Sequence, residues 1–174
     1  MDSSRSHMGR RSNHVFIRQR DMAPMTKRVL FVCLGNICRS PMAEHVFRDM
    51  VQREKLDIVC GSCGTAAYHV GEPPDRRGAR TMAEHGIDCS GKRASRLKSS
   101  DYRNYDYIVC MDSQNLEDVR YRAPADATAE ILMMMDFAGG GDVEDPWYTG
   151  DFERTYQEVS RGCRGLIEHI SGSG

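Results

Sequence analysis

The sequence lacks a long hydrophobic run and lacks a marked excess of charge of either sign. No segment approaches the roughly 18 consecutive apolar residues that a membrane span requires. Lysine and arginine number 24 against 25 aspartate and glutamate, a formal net charge of −1. Binding of nucleic acid through phosphate neutralisation is therefore not expected, and neither is a membrane partner. The 174 residues suit one soluble globular domain of ordinary size.

The seven cysteines do not form the even-numbered pattern of a disulfide framework. No apolar signal segment follows the basic residues near the N-terminus. We therefore expect reduced thiols and a cytoplasmic location. Cys60 and Cys63 form a Cys-x-x-Cys pair, but no second Cys or His pair has matching spacing. Neither a metal nor a cofactor is expected.

Residues 1–24 show no sustained periodicity, and we predict a disordered arm there. Ser6, His7 and Met8 resemble a cloning junction, which makes the arm in part an expression tag. Its five arginines leave RNA binding or targeting as alternatives, although a tag with a disordered tail is favoured. The folded domain is then predicted over residues 25–174.

Strand and helix patterns alternate along the rest of the chain. The continuous apolar run 27–34 predicts a central strand that is buried on both faces. Further strands are predicted over 57–63, 105–111 and 130–134. Helices are predicted from Ser40 to about residue 55 and over 75–85, 112–121 and 151–170, with a loop-rich segment before the last one. This order predicts a single α/β domain with a parallel sheet of four strands and helices on both faces.

The segment from Cys33 to Ser40 places a Cys-x5-Arg-Ser motif between the first strand and the first helix. Cys33 ends the strand at the carboxyl edge, where open α/β sheets bind ligands. Inward-pointing amides and the helix N-terminus form a cradle for a tetrahedral dianion, which also favours a thiolate at Cys33. The planar fork of Arg39 can hold two phosphoryl oxygens. The motif alone arises by chance, but this placement makes it strong evidence for a phosphate-binding loop.

The other loop residues have predicted supporting roles. Ser40 is predicted to cap the helix ahead of Pro41 and to donate a hydrogen bond to the thiolate. Gly35 permits a positive φ, and Asn36 tolerates the left-handed backbone region and has an amide that can brace the loop. The predicted phosphate-binding residues of the loop are Leu34, Gly35, Asn36, Ile37, Cys38 and Ser40. The glycine-rich motifs of nucleotide-binding loops are absent, so a nucleotide site loses its main support.

Four segments together resemble the low-molecular-weight protein tyrosine phosphatases over about residues 27–170. They read VLFVCLGNICRSPMAE, SCGTAAYHVGEPPDRRG, YDYIVCMDSQNL and EDPWYTGDFERTY. The resemblance implies a four-stranded parallel sheet and a phosphocysteine intermediate. It implies that the substrates are phosphotyrosine proteins or small aryl phosphates, with phosphate, sulfate or vanadate as competing anions. We expect a monomer or a weak dimer.

A leaving phenolate needs a proton, and a positioned carboxylic acid contributes roughly 10²–10⁴-fold to such a step. The resemblance assigns this acid to Asp145, which Pro146 holds in a rigid loop. Asp145 would then activate water against the phosphocysteine. A turn-forming Asp-Pro is the alternative interpretation from the residues alone, and Glu144 is the other candidate acid.

Aromatic residues are predicted to form the walls of the site. Trp147 and Tyr148 would stack on the phosphotyrosine ring; partial core packing is the alternative for these residues and for Tyr68, and it is weakest for Trp147, which lies in a polar loop. The resemblance places Tyr68 on the opposite wall. It also matches Ser62, with Asn36 and Ser40, to a hydrogen-bond network that braces the loop. Many relatives have a histidine where this chain has Gly91, ahead of Lys92, which predicts a shorter or water-filled network.

Three other functions remain as alternatives. Arsenate reduction needs a relay of cysteines, and Cys89 has no close partner in the sequence. Protein-arginine phosphatases resemble this chain but usually carry threonine at the position of Ile37. A non-catalytic phosphotyrosine-binding module would be expected to have lost Cys33, Arg39 or Asp145.

Cys38 is a candidate redox partner, because Cys33 and Cys38 bracket one tight loop and disulfide geometry requires Cα atoms within about 7 Å. A second cysteine at this spacing is also common in the family. The alternative is that Cys38 only fills space behind the loop. Among the histidines, His85 is interpreted as a partner of a helix end, and His45 and His69 as solvent or core residues.

Overall fold

The computed structural model describes residues 25–172. The predicted arm at 1–24 and the last two residues of the predicted domain lie outside the described part. The elements of the described part are β1 (Lys27–Cys33), α1 (Arg39–Arg53), β2 (Ile58–Gly64), α2 (Arg76–Glu84), α3 (Asp101–Asn104), β3 (Tyr107–Cys110), α4 (Ser113–Arg122), β4 (Glu130–Met133), a 3-10 helix (Met134–Phe137), α5 (Pro146–Thr149) and α6 (Phe152–Gly172).

The four strands pair in parallel in the order β2-β1-β3-β4. One face of the sheet packs against α1 and α6, where Phe31, Phe47 and Leu166 are fully buried. On the other face, Val32 and Val119 belong to a second buried cluster. Helices therefore cover both faces, as the alternating pattern predicts, and the carboxyl end of central strand β1 opens directly into the Cys33 loop. No helix among residues 25–172 combines the length and apolar character needed to cross a membrane.

The start of α1 differs from the prediction. The helix begins at Arg39, and Cys38 occupies the capping position without a capping side-chain hydrogen bond. Ser40 is therefore not the cap, and Pro41 is the third helical residue. A capping side chain would occupy a backbone donor that this loop can offer to an anion. The segment 135–150 also contains a helical turn, α5. The sequence predicts only loop there because the segment is rich in glycine.

The end of β2 supports the loop that follows β1. Thr65 N–H donates to the Cys33 carbonyl at 2.9 Å, and Ala66 N–H donates to the Leu34 carbonyl at 2.9 Å. A Cβ on Gly64 would lie 2.5 Å from the Leu34 oxygen and 3.2 Å from the Asn36 nitrogen. A glycine is needed at position 64 because the loop backbone lies directly against it.

Candidate active site

Cys33 lies at the base of the loop and is 3% exposed. Its Sγ lies 2.9 Å from the Ser40 hydroxyl and accepts a hydrogen bond from the Asn36 backbone N–H at 3.3 Å. The predicted contact of Ser40 with the nucleophile is therefore present. Two donors are in place to stabilise negative charge on this sulfur.

Asn36 is the conformationally special residue of the loop, with φ of +58°. Its side-chain amide donates to the Ser40 and Ser62 hydroxyls at 2.7 and 2.9 Å, and its Oδ1 accepts from Ser95 N–H at 3.0 Å. Of the two loop residues for which the sequence allows a positive φ, Gly35 and Asn36, it is Asn36 that adopts it. Asn36 tolerates this backbone region because its short amide can bond locally, whereas a Cβ at Gly35 would lie 2.9 Å from the ring of His69.

The network continues behind the loop to a buried carboxylate. Ser62 donates to Glu44 Oε1 at 2.6 Å, and Lys92 and Arg48 lie 3.0 and 2.8 Å from the Glu44 carboxylate. Burial opposes the charge of Glu44, but Ser62, Lys92 and Arg48 hold its pKa below the ordinary value.

Next to Gly91, the neighbouring Lys92 takes part in this network. Lys92 donates to the Ser62 carbonyl at 2.9 Å as well as pairing with Glu44. A long lysine stem can bury its methylenes and still place its charge at such a partner.

Arg39 is 3% exposed and is held by two loops. Its Nη1 donates to Asp112 Oδ2 at 2.6 Å and to the Val143 carbonyl at 3.1 Å, and its Nη2 lies 3.6 Å from Asp145 Oδ2. Burial opposes the charge, but Cys33, Asp112 and Asp145 raise the Arg39 pKa above its ordinary value. Arg39 is thus a permanent positive charge with a fixed orientation.

Asp112 is a site residue that sequence analysis placed only at the start of the predicted helix over 112–121. Its Oδ1 does cap α4, accepting from Asn115 N–H at 2.7 Å. Its other oxygen binds Arg39, which is 73 residues away in sequence. One carboxylate therefore fixes both the helix after β3 and the guanidinium of the site.

Asp145 sits at the rim of the cleft with its side chain 25% exposed. Its Oδ1 accepts from Trp147 N–H at 3.1 Å, and Pro146 is buried at the first position of α5. Glu144 instead is exposed and pairs with Arg154 at 3.2 Å. The cleft lining includes Asp145 and not Glu144, so the geometry favours Asp145 as the acid.

One cleft collects most of the predicted site. Its walls are aromatic and open, with Tyr68, Trp147 and Tyr148 exposed by 77%, 49% and 81%. Asn36, Ser40 and Ser62 lie behind the floor and brace it instead of lining it. The lining residues are Cys33, Leu34, Gly35, Ile37, Cys38, Arg39, Tyr68, His69, Asp145, Trp147 and Tyr148.

His69 is the lining residue that sequence analysis missed. Its Nδ1 lies 2.7 Å from Glu72, and its ring centre is 6.1 Å from that of Trp147. The only sequence signal for it is its position next to Tyr68. His85, by contrast, pairs with Glu153 at 3.0 Å and stacks on Tyr156, away from the cleft.

Cys38 is 6% exposed and shares the cleft with Cys33. Burial raises the pKa of the Cys38 thiol strongly, and negative charge at Asp75 and Cys33 raises it further. Cys38 is therefore a protonated thiol beside the nucleophile. Cys89 is also buried but lines a separate depression that includes Ile87.

A cysteine, an arginine and a carboxylate thus line one cleft, and groups of these types can act together in phosphoryl transfer. Residues 28–173 match the family model described as low molecular weight phosphotyrosine protein phosphatase. The human protein of that name is 42% identical over 151 residues, covering 82% of this chain and 95% of the human one.

Solved structures agree with the sequence match. The Bacillus subtilis protein YfkJ superimposes with a TM-score of 0.82 at 37% identity, covering 86% of this chain and 97% of the other. A Drosophila arginine phosphatase gives a TM-score of 0.78 at 30% identity, covering 82% and 96%. The chain belongs to the low molecular weight phosphotyrosine protein phosphatase family.

Proposed function

We propose that this protein hydrolyses phosphotyrosine in proteins, and small aryl phosphates, through a phosphocysteine at Cys33. The observation that carries the proposal is the convergence of Cys33, Arg39 and Asp145 on one aromatic-walled cleft. All three reacting groups are retained, which argues against a non-catalytic phosphotyrosine-binding module.

In the first step the Cys33 thiolate attacks phosphorus, an S–P bond forms and the P–O bond to the phenol breaks. The Asp145 carboxylic acid gives its proton to the departing phenolic oxygen. Loop amides and Arg39 hold the phosphoryl oxygens, and they are aligned before the substrate arrives. Asp112 and the Val143 carbonyl orient Arg39 for this task.

In the second step water attacks the phosphocysteine. The Asp145 carboxylate takes a proton from that water, an O–P bond forms and the S–P bond breaks. Inorganic phosphate leaves and Cys33 departs as a thiolate, which the Ser40 hydroxyl and the Asn36 N–H stabilise. The cycle needs no metal, so EDTA should leave it unaffected, and phosphate, sulfate or vanadate should compete with substrate.

The aromatic walls support phosphotyrosine over the alternative substrates. A flat phenyl ring can lie against Trp147 or Tyr68, and Ile37 adds an apolar lining residue. One structural neighbour is an arginine phosphatase, and aromatic rings with a carboxylate can also hold a guanidinium group, so a direct comparison of the two substrates is needed. The arsenate-reductase alternative is weakened because Cys89 lies away from the cleft.

The test is a comparison of kcat/KM on matched peptides that carry phosphotyrosine, phosphoserine or phosphoarginine, with p-nitrophenyl phosphate alongside. We expect turnover of the phosphotyrosine peptide and of p-nitrophenyl phosphate. Cys33→Ser should lower kcat by at least about 10⁴-fold, as for loss of a covalent nucleophile. Preference for phosphoarginine, or arsenate reduction coupled to thioredoxin, would overturn the assignment.

The proximity of the two loop cysteines supports a protective redox role for Cys38. Peroxide oxidises the Cys33 thiolate to a sulfenic acid, releasing hydroxide. The Cys38 thiol then attacks that sulfur, an S–S bond forms and water leaves. After peroxide and then dithiothreitol, wild type should recover most activity and Cys38→Ser much less. Equal recovery would leave Cys38 with a packing role only.

The thiols also support a cytoplasmic location. All seven cysteines are free within residues 25–172, as is usual in a reducing compartment. We further propose one domain over 25–174 that acts as a monomer or weak dimer. Sedimentation at two protein concentrations tests this, and a stable larger assembly would contradict it.

A further inference from the structure

A second groove lies beside the catalytic cleft, between α2 and the turn that joins α5 to α6. We call it the α2 groove. Arg76, Arg77 and Arg80 line one side, and Asp151, Phe152 and Glu153 line the other. The proposed chemistry uses none of these residues.

Arg77 joins the α2 groove to the catalytic cleft. Its guanidinium lies 5.6 Å from the centre of the Trp147 ring and 4.7 Å from that of Phe152. Trp147 lines the cleft and Phe152 lines the groove. Arg77 is itself fixed by Asp75 at 3.1 Å. A peptide that leaves the cleft over Trp147 therefore passes directly into the α2 groove.

Two of the three arginines of the groove are available to a ligand, whereas its two carboxylates are already engaged. Arg76 and Arg80 are exposed one helical turn apart, and within residues 25–172 neither has a carboxylate at ion-pair distance. Glu153 is bonded to His85 at 3.0 Å and Gln157 at 2.9 Å. Asp151 accepts the Arg154 N–H at 3.0 Å at the start of α6.

Two like charges four residues apart destabilise a helix slightly, so this pair does not serve the stability of α2. Guanidinium groups do bind carboxylates well, because their planar donors match two carboxylate oxygens. Since an extended chain advances about 3.3 Å per residue, residues close to the phosphotyrosine in sequence can reach the groove.

We propose that the α2 groove is a docking subsite for acidic residues that flank the phosphotyrosine in a substrate. This inference rests on the proposed function, because it places the phosphotyrosine in the catalytic cleft. Arg76 and Arg80 bind the flanking carboxylates, and Arg77 together with Trp147 guides the peptide between the two sites.

Binding to the Cys33→Ser protein tests the subsite without turnover. Two fluorescent phosphotyrosine peptides differ only in having glutamate or glutamine at the flanking positions. The double variant Arg76→Gln/Arg80→Gln is compared with Arg120→Gln/Arg161→Gln, which removes two exposed arginines outside the groove lining. A thermal unfolding curve checks that each variant is folded.

We expect the acidic peptide to bind about tenfold more tightly than the neutral one, which corresponds to about 1.4 kcal/mol. This advantage should fall below about twofold in the groove variant and persist in the control variant. An advantage that survives in the groove variant, or no advantage at all, overturns the subsite. Turnover of both peptides by wild type is measured separately, and failure there contradicts the proposed function whatever the binding ratio is.

Discussion

The floor and the walls of the catalytic cleft are built in opposite ways. In the floor and its support, Asn36, Arg39 and Ser40 are 1%, 3% and 0% exposed, and each makes two or more polar contacts. In the walls, Tyr68 and Tyr148 are about four-fifths exposed. The groups that handle charge are held in place before substrate arrives, whereas the groups that meet the rest of the substrate remain open to solvent.

Each arrangement suits its task. Electrostatic stabilisation of a transition state is strong only when the donors need no reorganisation. Aromatic walls instead offer apolar area with few directional demands, so they accept different peptides around a common phenyl phosphate. Substitutions in the floor should therefore change kcat, and substitutions in the walls should change KM.

The largest expected effect among substitutions that test this division is at Asp145, on the rim between floor and wall. Asp145→Asn should lower kcat by roughly 10²–10⁴-fold on aryl phosphates with poor leaving groups, because the proton donor is lost. The loss should shrink as the leaving group becomes more acidic. Equal losses across a series of substituted phenyl phosphates would show that Asp145 is only structural.

Gly64→Ala tests whether the close packing of the loop backbone against Gly64 fixes the position of the cleft floor. Its Cβ would lie 2.5 Å from the Leu34 carbonyl oxygen, so the loop must shift, and a displacement near 1 Å can cost about 10²-fold in rate. We expect a fall of that size in kcat. Gly91→Ala is the matched control, because a Cβ there meets nothing within 4 Å. Similar kinetics in both variants would contradict the packing argument.

Glu44→Gln removes a support of the floor and should lower the free energy of unfolding by about 3 kcal/mol at neutral pH, because a buried ion pair loses one partner. The folded-state pKa of Glu44 lies below its ordinary value. Its contribution to the free energy of unfolding is therefore present above the unfolded pKa, near 4.5, and is lost as pH falls through the lower folded value.

Urea unfolding between pH 3 and 7 measures this contribution. Wild type should lose stability as pH falls in the acid range, and Glu44→Gln should show a flatter profile there. Glu117→Gln, on the exposed surface of α4, should keep the wild-type profile. Parallel profiles for wild type and Glu44→Gln would mean that folding does not lower the pKa of Glu44.

The smallest expected effect is in the wall. Trp147→Ala should raise KM for phosphotyrosine peptides about 2- to 10-fold, as expected for loss of an aromatic contact of about 0.5–1.5 kcal/mol. Its kcat should stay close to that of wild type. Trp147→Tyr should recover most of the affinity. A large fall in kcat for Trp147→Ala would show that floor and wall are not separable.

The proposed reacting groups lie in one cleft, and the sequence could point to them because their motifs are local. Cys33 and Arg39 stand at a fixed spacing between a strand and a helix, and Asp145 belongs to a short motif of the family. Their supports are not local. Asp112 contacts Arg39 across 73 residues of sequence, and Glu44 contacts Ser62 across 18. In the sequence alone, a glutamate in a predicted helix such as Glu44 looks like an ordinary solvent-exposed charge.

The backbone conformation of the loop was the other feature that the sequence could predict only in part. The positive φ falls on Asn36 and not on Gly35 because tertiary contacts, not propensity alone, decide which residue of a loop turns. Ser40 resembles a helix cap, but its hydroxyl serves the nucleophile and Asn36. The predicted contact of Ser40 with Cys33 and the predicted bracing by the Asn36 amide are both present, whereas the predicted helix cap at Ser40 is not.

The most direct test of the central claim is chemical trapping of the intermediate. Enzyme mixed with excess phosphotyrosine peptide is quenched within milliseconds, digested and examined by mass spectrometry. Our account predicts a phosphoryl group on the peptide that contains Cys33, together with a burst of tyrosine-peptide release equal to the enzyme concentration or less. A phosphoryl group on another residue, or steady turnover with none on Cys33 at any quench time and no burst, would contradict it.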